Sequence, residues 1–231
     1  MKLAVPMLAA AALSASASAA FVGFVTETTV VATGKTSTKL YAQFTNGSDT
    51  LLNAFQIHSL QTFGAASGLG TGNFWHQDFL NGNVQSTFAG TWNPTLLLGG
   101  NSNLDSWVTI GGEPANFANS TTADPGWGGA AFNQPGIPDT ADAGVAGWYN
   151  GNPPNLQGRG VTFGTNDFRS LIGNFVMTEG NGVRISLKVG FNQGLGTPAE
   201  FGQGEAILGV PAPGAIALLG LAGLAGRRRR A

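Results

Sequence analysis

Residues able to do chemistry are few and scattered along this chain. There are two histidines, His58 and His76, and no cysteine. Cysteine nucleophiles, thiolate metal sites and iron–sulfur clusters are therefore excluded. His58 lies in a strand-like pattern, Phe55-Gln-Ile-His-Ser-Leu60. His76 lies in Asn73-Phe-Trp-His-Gln-Asp78. A histidine near an aspartate can serve a metal or acid–base site. Neither stretch has metalloprotease spacing, so each reads first as a surface or half-buried histidine. No Gly-x-Ser-x-Gly elbow, Walker loop or dinucleotide fingerprint occurs. Glycoside hydrolysis needs two carboxylates facing each other across a cleft. Asp139 with Asp142, or Glu113 with Asp124, are the pairs that spacing offers, and solvated carboxylates are the plainer reading. No catalytic residue is assigned.

Calcium is the ion best suited to the remaining oxygen donors. Asn101, Asn103 and Asp105 place three oxygen side chains at alternate positions. The stretch lacks the following glycine and distal glutamate of an EF-hand, so a hydrogen-bonded turn is the competing reading. Aromatic residues are the stronger binding signal. Trp75, Trp92, Trp107, Trp127, Trp148 and Tyr149 mostly neighbour Gly, Asn or Pro. Exposed indoles can stack on the apolar faces of sugar rings, with Asn and Gln supplying the polar rim. Trp75, Trp127, Trp148 and Tyr149 are the candidates for such glycan contact. Burial beneath long loops is the commoner fate of tryptophan.

The elements that must position these residues are strands. Thr38 to Thr45 alternates with period two, placing Leu40, Ala42 and Phe44 on one face. Asn46-Gly-Ser-Asp49 has turn composition, and Leu51 to Phe63 reads as a strand; together they predict a hairpin. Phe21 to Val31 reads as an opening strand and Ser106 to Ile110 as a short one. Phe168 to Thr178 and Val183 to Phe191 predict a second hairpin, with Ile185, Leu187, Val189 and Phe191 facing one way. Ala206 to Val210 reads as a closing strand. Residues 111–160 carry Gly and Pro so often that every long period is broken. The expected fold is all-β: an antiparallel β-sandwich, with a jelly-roll as one form of it, and a long irregular Gly/Pro-rich middle. Neither a repeat nor a second domain is visible.

The two ends have a different character. Lys2, the apolar run Leu3 to Leu13 and the small residues Ser14 to Ala20 follow the order of a secretory signal peptide. Residues 1–20 are therefore assigned to a signal helix for signal peptidase, and 21–209 to a single extracellular β domain. At the other end, Val210-Pro-Ala-Pro-Gly214 precedes a Leu/Ala/Gly run and Arg227, Arg228, Arg229 and Arg230. The 13 uncharged residues from Gly214 to Gly226 are short for a membrane helix, which needs about 17–25. Snorkelling arginines and a thin bilayer help a short span. Under the positive-inside rule the arginines stay cytoplasmic.

This tail resembles the PEP-CTERM sorting signal of Gram-negative bacteria. Val210, Pro211, Ala212, Pro213 and Gly214 stand where that signal has its proline motif, with Ala212 where glutamate is usual. The resemblance covers about a tenth of the chain and leaves the fold of 21–209 open. It implies an exosortase-type membrane protease as partner, transient anchoring in the inner membrane, and release to the surface or medium. It also implies association with exopolysaccharide.

Without its ends the body has six bases against 12 acids, a net charge of −6. That balance argues against nucleic acid as a partner. The expectation is a non-enzymatic envelope or matrix protein. A carbohydrate-binding module is the alternative, and a secreted hydrolase a third reading.

Overall fold

A computed structural model of the chain describes residues 21–64, 74–78, 82–85, 91–95, 103–112, 114, 116, 118–140 and 146–209. The expected signal helix, the sorting tail from Val210 to Arg230, and Asn101, Glu113 and Asp142 lie outside the described residues. Among the described residues no helix is long and apolar enough to cross a membrane.

The described chain is mostly β-strand, in antiparallel sheets. The strands are β1 (Phe21–Ala32), β2 (Lys35–Phe44), β3 (Thr50–Phe63), β4 (Trp75–Asp78), β5 (Gly82–Gln85) and β6 (Trp107–Val108). They continue with β7 (Thr121–Ala123), β8 (Gly147–Asn150), β9 (Val161–Gly164), β10 (Asp167–Thr178), β11 (Gly182–Asn192) and β12 (Glu200–Gly209). One sheet has the order β1-β2-β10-β6, with β9 also paired to β10. The other has the order β12-β11-β3-β8-β7, and β4 and β5 form a small ribbon.

Period two determines the inner faces. Leu40, Ala42 and Phe44 of β2 are each 0% exposed, as their alternation predicts. Ile185, Leu187, Val189 and Phe191 of β11 join them, with Leu51, Ala54 and Ile57 of β3, in one apolar cluster. The cluster draws on both large sheets, so each sheet removes one face from water by using the other.

The two hairpins expected from sequence are not formed. β2 pairs with β1 and β10, whereas β3 pairs with β11 and β8. The Asn46–Asp49 turn therefore carries the chain from one sheet to the other, and residues 179–181 do the same between β10 and β11. Alternation shows which face a strand buries, not which strand lies beside it. The closing strand begins at Glu200, not at Ala206. Gly202 and Gly204 disguise its first half: the rings of Phe21 and Phe24 occupy the space where their side chains would be.

The Gly/Pro-rich middle is ordered by side chains. Gln157 Nε2 donates to Ile110 O, Asn119 Oδ1 and Thr121 Oγ1 at 2.9, 3.0 and 3.1 Å, while its Oε1 accepts from Ser120 N at 2.9 Å. Ser120 Oγ donates to Asn150 Oδ1 at 2.5 Å. Such a network can replace the ladder of a regular element because its members satisfy one another. Asp124 starts the 3-10 turn Pro125–Trp127, where its carboxylate accepts from Trp127 N at 3.1 Å. That cap directs the Trp127 indole inward.

Candidate functional site

Aromatic residues divide into a buried set and an exposed set. Trp92, Trp107, Trp127 and Trp148 are at most 1% exposed. Trp127 lies 5.1 Å from Trp92 and 5.0 Å from Trp148, ring centre to ring centre. Trp148 Nε1 donates to Thr109 O at 2.9 Å. Trp127 and Trp148 are thus core residues of the middle region, which corrects the expectation that they offer glycan platforms. Each indole buries a large apolar area, and the close ring contacts add to that gain. Trp75 is half-buried; its Nε1 donates to Thr178 Oγ1 at 3.2 Å, and Lys35 Nζ covers its ring at 4.2 Å. Tyr149 is 42% exposed and keeps its place among the candidates.

Among the exposed aromatics, Phe163 lies on β9 of the other sheet, whereas Phe201 and Tyr149 lie on the outer face of the β12-β11-β3-β8-β7 sheet. Cross-strand register puts Phe201, Gly190, Asn53, Tyr149 and Thr122 opposite one another in one rank. The next rank holds Gln203, Lys188 and Phe55. Residues opposite in register share a face. Phe201 is 70% exposed and meets the half-buried Phe55 edge to face, 6.1 Å between ring centres. A hollow of about 490 Å³ lies on one side of this pair, lined by Phe55, Lys188, Phe201, Gly202 and Gln203. Another of about 310 Å³ lies on the other side, where Asn53, Asp124 and Tyr149 join the two phenylalanines.

Polar groups on this face are held in place. Asn53 Oδ1 accepts from Gly190 N at 2.8 Å, and a side chain at 190 would put its Cβ 2.5 Å from that oxygen. Gly190 is what lets the amide lie flat between Phe201 and Tyr149. Asp124 at the rim has its pKa raised, chiefly by burial, against the lowering effect of the backbone at Gly147, Trp127 and Gly126. The face thus combines aromatic surface, an amide, a cation and a carboxylate.

The remaining sequence candidates do not assemble there. His76 is 1% exposed, edge-on to Trp92, with Nδ1 3.5 Å from Asp105 Oδ1 but no hydrogen bond at that nitrogen. The Asp105 oxygen accepts from Gln77 N at 2.7 Å. Asp105 is 1% exposed, whereas Asn103 is exposed, so the proposed calcium loop does not present Asp105 to a surface ion. His58 Nδ1 contacts Gln56 O at 3.0 Å, a local arrangement. Asp139 is exposed. Among the described residues no three His, Asp or Glu side chains are grouped as a metal centre would require.

Phe55 and Phe201 were not among the sequence candidates. The alternation Phe201-Gly-Gln-Gly-Glu205 holds the signal, since a strand with glycine on one face must direct its larger side chains to the other. Comparison with protein-family models, curated proteins and solved structures finds no match to this chain.

Proposed function

We propose that the chain is an exported, non-enzymatic binding protein of the cell envelope or extracellular matrix, and that its ligand is exopolysaccharide. The observation that carries the ligand is the outer sheet face. Phe201, Phe55 and Tyr149 offer apolar ring surface, and Asn53, Gln203, Lys188 and Asp124 surround it with donors and acceptors. Sugar rings present the complementary surface: apolar C–H faces edged by hydroxyls. Exposed aromatics rimmed by polar groups mark interaction sites more often than accidents of folding.

Export rests on the two ends of the sequence. The signal-peptide order of residues 1–20 and the tail from Val210 to Arg230 support a route through signal peptidase and an exosortase-type protease. We read the two facing sheets as a β-sandwich. The two sheet-to-sheet crossings, β2 to β3 and β10 to β11, suit a jelly-roll-like winding.

Affinity electrophoresis tests the ligand. The full chain should migrate more slowly through a gel containing exopolysaccharide from its native host. A charged polysaccharide of unrelated structure should not retard it. Equal mobility in the native gel and in a blank gel would end the proposal.

A further inference from the structure

Arg184 and Lys188 stand on the outer face of β11, and β12 treats the two bases differently. Arg184 Nε donates to Glu205 Oε2 at 2.8 Å, so a carboxylate of the neighbouring strand neutralises it. Lys188 stands opposite Gln203 on β12 and Phe55 on β3, with an amide on one side and a ring on the other. It is half-buried. Among the described residues no carboxylate lies within ion-pair distance of Lys188, and no group accepts a hydrogen bond from it.

The two hollows of this face therefore differ in sign. Lys188 lines the larger one, of about 490 Å³, with Phe55, Phe201, Gly202 and Gln203, and no acid is among them. Asp124 lines the smaller one, of about 310 Å³, where no base is present. Phe55 and Phe201 line both, so the pair forms the ridge between a cationic and an anionic hollow. Both volumes fall in the range of small-ligand sites, about 300–1,000 Å³.

We propose, on the reading of this face as a polysaccharide site, that its ligand is an acidic polysaccharide and that Lys188 selects a uronic acid residue. The sugar carboxylate would meet the Lys188 ammonium in the larger hollow, where a charge-assisted hydrogen bond replaces the partner that β12 withholds. A neutral sugar residue would occupy the smaller hollow, because a second carboxylate there would face Asp124. Its hydroxyls can donate to Asp124 and to the Asn53 amide oxygen. One free ammonium on a body with six bases against 12 acids gives no general affinity for polyanions. Selectivity for a carboxylate must therefore come from this hollow.

Affinity electrophoresis of the full chain on two gels tests the assignment. One gel holds native exopolysaccharide, the other the same polymer after chemical reduction of its carboxyl groups to alcohols. The acidic body alone would favour the neutral polymer. With Lys188 as the carboxylate's partner, wild type should instead bind the native polymer roughly tenfold more tightly, as loss of a hydrogen bond to a charged group implies. Lys188→Met should lose the preference, its affinity for the native polymer falling to near that of wild type for the reduced one. Lys188→Arg should keep much of it. Equal wild-type retardation in both gels overturns the uronic acid assignment and leaves polysaccharide binding standing. A preference that survives in full in Lys188→Met overturns it as well. Retardation in neither gel removes the polysaccharide reading and this inference with it.

Discussion

Trp127 and Trp148 meet at 5.0 Å between ring centres with their planes tilted 52° apart, yet only one of the two indoles has a hydrogen bond. Trp148 Nε1 donates to Thr109 O, whereas Trp127 Nε1 is buried without a partner. The same substitution should therefore have different costs at the two positions. Trp148→Phe loses a bond and leaves a buried carbonyl unpaired, adding about 1–3 kcal/mol to the loss of volume. Trp127→Phe removes an orphan donor and should cost less. Urea unfolding of both variants measures the difference, and equal losses would contradict it. Truncation of either residue to alanine should cost about 3–5 kcal/mol.

The network around Gln157 should be a stability determinant although Gln157 itself lies outside any strand. Gln157→Leu keeps much of the volume but removes the side-chain partners of Ile110 O and Ser120 N together. About 1–3 kcal/mol is expected for each group that water cannot reach. Chemical denaturation reads the loss. Limited proteolysis should show earlier cleavage between residues 111 and 160 in the variant than in wild type.

Two aspartates should give pH dependences of opposite sign. The Arg169 side-chain hydrogen bond, ahead of a weaker one from Gln43, lowers the Asp167 pKa from its ordinary 3.8. Its stabilising contribution is complete above 3.8 and is lost as pH falls through the lower folded value. Asp167→Asn should therefore be destabilised at pH 6, and its deficit should shrink below pH 3.8. Asp124 has its pKa raised by burial, so its ionised form is penalised above the folded value and the penalty fades as pH falls towards 3.8. Asp124→Asn keeps an oxygen to cap the 3-10 turn. Relative to wild type it should be most favoured at neutral pH. Stability curves from pH 2.5 to 7 separate the two cases.

Much of the fold was legible in the residues, and the failures have physical causes. Alternation identified the buried faces of β2 and β11 correctly because a slip of one residue would expose every apolar side chain. Pairing was not legible: Asn46–Asp49 has hairpin composition but spans two sheets, and nothing local distinguishes the cases. β12 was half hidden because Gly202 and Gly204 make room for Phe21 and Phe24, a requirement set by β1 at the other end of the chain. The same disguise hid Phe201. Trp127 and Trp148 looked loop-borne because Gly and Pro surround them, yet those loops fold over their indoles.

Processing provides a prediction outside the folded domain. Mature protein from the native host should lack residues 1–19 or 1–20 and the segment beyond the proline motif near Pro211. Intact-mass spectrometry of membrane and medium fractions checks this. A surface-located protein that retains Arg227 to Arg230 would contradict transient anchoring.

Single substitutions on the outer face should separate binding from folding. Phe201 is 70% exposed, so Phe201→Ala should leave the unfolding midpoint nearly unchanged. Loss of a central contact is worth more than about 1 kcal/mol, or roughly a fivefold fall in affinity for exopolysaccharide. Tyr149→Ala should act in the same direction.

Hydroxyl-radical footprinting with and without native exopolysaccharide locates the binding face, since it reads the exposure of each aromatic side chain in the intact protein. Oxidation of Phe201 and Tyr149 should fall on adding polysaccharide, that of Phe55 should follow, and that of exposed Phe163 on β9 should be unchanged. Protection at Phe163 with none at Phe201 or Tyr149, or no protection anywhere, would contradict binding at this face.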